Sequence, residues 1–119
     1  MFPKPAPIQA YSRVYDLKSR LDWGEPALTI IDVRDRQLFN QARILGAVSM
    51  PMAELVNSAT ASLEPERDLY VYADTDEEAA EAVAHLHSAG FRNVSLLRGG
   101  VAAWKAVGFP TESTGNLAA

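Results

Sequence analysis

Three short apolar runs, at residues 28–33, 69–73 and 94–97, each lead toward a stretch with helical spacing, and this alternation leaves the chain few possible folds. The runs are rich in Ile, Val, Leu and Tyr and bounded by polar residues, the pattern of strands buried on both faces. Parallel strands of that kind need crossover connections, and right-handed crossovers place helices on both sides of the sheet. The expected fold class is α/β: a small three-layer domain with a parallel sheet of about five strands.

The segments between the runs support this. Leu17 and Leu21 lie four apart in an expected helix over 15–23, which Gly24 and Pro26 should stop. Short helices are expected over 36–41, with Leu38 and Phe39 inward, and over 52–58, with Leu55 and Val56 inward. A brief strand at 47–50 ends at Pro51, beside Met50 and Met52 as core filling. The clearest helix is 76–89, where Ala79, Val83 and Leu86 form one stripe and Glu78, Glu81, His85 and Ser88 the opposite one. Gly90 can end it in a left-handed conformation, with Phe91 folding back. Gly99 and Gly100 open a last helix over 101–107; they match neither a P-loop nor a dinucleotide fingerprint.

With 119 residues, 48% of them hydrophobic, the chain suits one domain. Prolines at 3, 5 and 7 favour an extended arm over residues 1–10, the folded domain spans 11–112, and the small polar residues of 113–119 should fray. A net charge of −4 without a Lys/Arg block argues against nucleic acid. No apolar run reaches the ~18 residues of a membrane span and no signal-peptide core is present, so no membrane insertion and a cytoplasmic location are expected. Cysteine is absent, which excludes disulfides, thiolate metal sites and a cysteine nucleophile. No cofactor or metal is expected; His85 and His87, two apart on a helix, point apart, and His85 can pair with Glu81. Trp23 and Trp104 read as core or edge packing.

Three ordered stretches resemble the rhodanese-like family. In IIDVRDRQLFNQARILGAVSMP, residues Asp32, Val33, Arg34, Phe39, Ile44, Gly46, Ala47 and Pro51 match its pattern, while Ala42, Arg43 and Leu45 replace its Gly, His and Pro. LYVYADTDEEAAEAVAHLHSAGF is similar to the family's strand, active-site loop and helix, and NVSLLRGGVAAWKAVGFPTE to its closing segment. The resemblance implies a catalytic cysteine that carries a persulfide in thiosulfate sulfurtransferases or attacks phosphate in related phosphatases. That cysteine would fall at Ala73, the loop glycine at Asp76 and the anion-binding arginine at Glu78. A methyl group can neither ionise nor attack.

The loop Ala73, Asp74, Thr75, Asp76, Glu77, Glu78 is thus a degenerate active-site loop with no catalytic residue. At ~5 Å and an effective dielectric of roughly 20 to 80, each carboxylate would repel a monoanion by about 1 to 3 kcal/mol, outweighing a helix N-terminus of about half a charge. Thr75 and Glu78 also fit a capping box, which explains the acids without a ligand. The candidate binding residues are Asp32, Arg34, Asp74, Asp76, Glu77 and Glu78; for Asp32 and Arg34 a mutual ion pair or loop clamp is the simpler reading. The expectation is a non-catalytic module that binds a protein or peptide. The alternatives are a sulfurtransferase role with a partner supplying the thiol, and an acidic cation site at Asp74, Asp76 and Glu77.

Overall fold

The computed structural model describes residues 8–24 and 27–114. Most of the proline-rich arm (1–7), Pro26 and residues 115–119 of the expected tail lie outside them.

Strand β1 (Tyr11–Ser12) leads to helix α1 (Val14–Asp22), strand β2 (Leu28–Asp32), helix α2 (Arg36–Gln41) and the short strands β3 (Arg43–Ile44) and β4 (Val48–Ser49). A 3-10 turn (Met52–Glu54) precedes α3 (Leu55–Ser62), followed by β5 (Asp68–Tyr72), α4 (Asp76–Ser88), β6 (Val94–Leu97), α5 (Gly100–Ala106) and β7 (Thr111–Glu112). Five strands form a parallel sheet in the order β1-β6-β5-β2-β4, and β3 pairs antiparallel with β7. The expected α/β architecture is the one observed.

Side-chain alternation along the strands sorts the core into two layers. Ile31, Leu69, Val71 and Leu96 face α3 and α4, meeting Leu55, Ala59, Ala79, Ala82 and Leu86. Ile30, Tyr70, Tyr72 and Leu97 face the other way, toward Val14, Leu17 and Trp104. Each fully buried aliphatic side chain contributes about 1.5–3 kcal/mol, which explains why strands this short hold a register.

Helix α4 ends as its glycine requires. Gly90 has φ +101°, the Phe91 N–H donates to the Leu86 carbonyl at 3.0 Å and the Gly90 N–H to that of His87 at 3.0 Å, a Schellman closure. At the start of α5, Gly100 has φ +52°, and a Cβ there would lie 2.9 Å from the Ala73 carbonyl oxygen. The glycine pair thus lets α5 pack against the end of β5, as a tight turn rather than a phosphate loop.

Some expectations fail for identifiable reasons. Val56 is exposed, because the stripe that Leu55 shares with Ala59 takes the buried face of α3. Trp23 is 82% exposed, not packed: it caps the end of α1, and the bond from Arg20 on that helix to Asp68 at the start of β5 sets this end at the strand starts, away from the acidic loop. The two-residue strands β1, β3 and β7 were not expected, being too short to show a period. The Ala10 carbonyl accepts from the Leu96 N–H and the Thr114 N–H donates to the Asn40 carbonyl, both at 2.9 Å, so residues at both margins of the domain are held in place.

Candidate functional site

Strands β2 and β5 end side by side, with Asp32 in register with Tyr72. The chain leaves the sheet there through Val33 and Ala73, and the Val33 N–H donates to the Tyr72 carbonyl at 3.1 Å. Behind this edge is a buried polar clamp. The Arg34 Nε lies 3.0 and 3.1 Å from the two Asp32 carboxylate oxygens, and its Nη2 2.7 Å from Oδ2. The same Nη2 donates to the Ala42 carbonyl at 2.6 Å, and the Ile44 N–H donates to the Tyr72 hydroxyl at 3.2 Å. Burial opposes the guanidinium's charge, but the hydrogen bonds and charge of Asp32 outweigh it and hold Arg34 above the ordinary arginine value. The Asp32–Arg34 pair ties the end of β2 to the residue before β3, and the Tyr72 hydroxyl ties β3 to β5.

Burial first, then the charge and hydrogen bond of Asp32, push the Tyr72 phenol well above the ordinary tyrosine range. A group whose folded pKa is raised contributes stability below its unfolded pKa, and this is lost as pH rises toward the folded value. Stability should therefore fall with pH above about 10, the unfolded tyrosine value, and Tyr72→Phe should flatten that fall in urea titrations. An unchanged slope would contradict the assignment.

The loop beyond β5 is built by local bonds. Thr75 caps α4, its Oγ1 accepting from the Glu78 N–H at 3.1 Å. The Glu78 carboxylate accepts from the Thr75 hydroxyl at 3.3 Å rather than from the Thr75 backbone N–H, so only the Thr75 half of the expected capping box forms. Asp76 does something the sequence did not reveal: its Oδ1 accepts the Gly99 N–H at 2.9 Å, joining the start of α4 to the turn before α5. Asp74, Glu77 and Glu78 are exposed. Among the described residues no three His, Cys, Asp or Glu side chains converge as a metal site requires. His85 lies 3.7 Å from Glu81, as expected, while His87 Nδ1 meets the Phe91 carbonyl at 3.0 Å.

Between the two strand ends lies a cleft of about 370 Å³. Its apolar wall comprises Val33, Pro51, Met52, Ala53 and the Ala73 methyl, and its rim Arg34, Asp35, Asp74, Glu78 and Glu81. Sequence reasoning missed Asp35, Glu81 and Met52 as lining residues. Glu81 was detectable as the residue one turn beyond Glu78 on the same helix face; the other two come near the loop only through tertiary packing.

A family model described as the rhodanese-like domain matches residues 14–107, which takes in every element around the cleft. The chain belongs to the rhodanese-like domain family. The crystal structure of the Alr3790 protein from Anabaena sp. is similar to this rhodanese-like domain with a TM-score of 0.84 and 57% identity, over 86% of this chain and 80% of that one. The probable adenylyltransferase/sulfurtransferase MoeZ of Mycobacterium tuberculosis is 37% identical over 91 residues, 75% of this chain and 23% of that protein. The HTH-type transcriptional regulator Rv0324 of the same species is 32% identical over 109 residues, 90% of this chain and 46% of that protein. The domain spans less than half the length of each of these two curated relatives. Among the described residues no helix is long and apolar enough to cross a membrane.

Proposed function

We propose that this rhodanese-like domain is non-catalytic and works by binding a protein or peptide at the face where family enzymes carry their cysteine. The observation that carries the reading is the loop itself: a methyl group at position 73, at the end of the central β5, followed by carboxylates engaged in capping α4 and clamping the Gly99 turn. Nothing there can form a persulfide, and the N-terminal charge of α4 is met by its own acids. The Asp32–Arg34 clamp and the Gly100 contact keep the frame rigid, which suits a surface that recognises a partner. That a transcriptional regulator and a sulfurtransferase both resemble this domain supports treating the fold as a module whose role is set by its site.

The test is sulfur transfer from thiosulfate to cyanide by the purified chain. The expected rate equals that of buffer for the chain alone, and adding the chain to a cysteine-bearing sulfurtransferase leaves that enzyme's own rate unchanged. Turnover by the chain alone overturns the reading. A rate on mixing clearly above that of the sulfurtransferase by itself would instead support the alternative in which a partner supplies the thiol.

A further inference from the structure

The cleft combines an apolar wall with an uneven charge distribution. Among the described residues four carboxylates line it, from Asp35, Asp74, Glu78 and Glu81, with one cation, Arg34, which is paired with Asp32 behind it and also feels the charge of Asp74. Nor are all four engaged in holding the fold. Asp35 stands at the N-cap of α2 with no side-chain capping bond, and Asp74 makes no hydrogen bond among the described residues.

A negative rim around an apolar wall fits a side chain that is apolar along its stem and cationic at its head. The volume admits one long side chain with parts of its neighbours, and lies at the small end of ligand pockets. Arginine fits better than lysine: its planar guanidinium can meet two carboxylates at once and gives up water more readily than an ammonium. We propose that the cleft receives an arginine side chain from a peptide segment of a protein partner, its stem along Pro51 and Met52 and its head at the Asp74 and Glu78 rim. This rests on the reading that the face binds a protein, and adds the chemistry of what is bound.

The test is an amide-resonance titration of the ¹⁵N-labelled chain with three blocked peptides, Gly-Leu-Arg-Leu-Gly and its Gln and Glu counterparts. The arginine peptide should shift Met52, Ala73, Asp74 and Glu78, the glutamine peptide should bind at least about fivefold more weakly, and the glutamate peptide should leave the cleft unmoved. Asp35→Asn combined with Asp74→Asn should weaken the arginine peptide by about fivefold or more with an unchanged melting temperature. Glutamine or glutamate peptides that bind the cleft as well as arginine overturn the arginine assignment while leaving a binding face. Silence of the cleft toward all three also overturns it, whereas the non-catalytic reading beneath it falls to sulfur transfer by the chain alone.

Discussion

Replacing Arg34 by methionine lowers the unfolding free energy by about 3–5 kcal/mol, because it strands the fully buried Asp32 carboxylate without its counter-charge. Against a typical domain stability of roughly 5–15 kcal/mol, that is a large share of the total. The methionine stem restores part of the lost volume, so the loss reports charge and hydrogen bonding more than packing. Adding Asp32→Asn should recover part of it, since a neutral amide needs no counter-ion, although the Ala42 carbonyl still loses its donor. Urea unfolding of the two variants measures both steps. A single-variant loss below about 1 kcal/mol would show that water reaches the clamp and that it does not secure the strand ends.

Trp104→Ala should cost about 3–5 kcal/mol by a different mechanism, a cavity in the layer between the sheet and α1 with α5. The indole is fully buried, packs edge-to-face on Phe109 with ring centroids 5.0 Å apart, and donates its Nε1–H to the Pro110 carbonyl at 2.6 Å. Trp104→Phe keeps a ring in place and loses the hydrogen bond, so it should cost well under half as much. Trp23→Ala is the control, expected within about 0.5 kcal/mol because its ring lies mostly in water. Equal losses at the two tryptophans would mean that the packing around α5 is wrongly assigned.

The frame of the site was legible in the sequence for local reasons. Apolar runs of four to six residues name the strands, the stripe on 76–88 names a helix, and Gly90 with Phe91 names its end, because each signal is carried by neighbours along the chain. The Thr75 cap was readable in the same way, though the reciprocal Glu78 bond to the backbone was not realised. The absence of chemistry was more legible still, since a chain without cysteine cannot hold a persulfide however it folds. Errors fell where burial depends on distant elements. Val56 and Trp23 are large and apolar, but nothing in their local sequence tells whether another part of the chain will cover them.

Sequence alone therefore determined the α/β layering, the place of the loop after β5 and its lack of a nucleophile. Tertiary structure alone decided what the acids of that loop do. Asp76 reaches a backbone N–H 23 residues away, and Asp74 is left facing a cleft walled by Pro51 and Met52 from a distant part of the chain. A carboxylate's role is set by whichever donor or solvent lies within about 3 Å, and for these residues the folded sheet, not the neighbouring sequence, brings that group near.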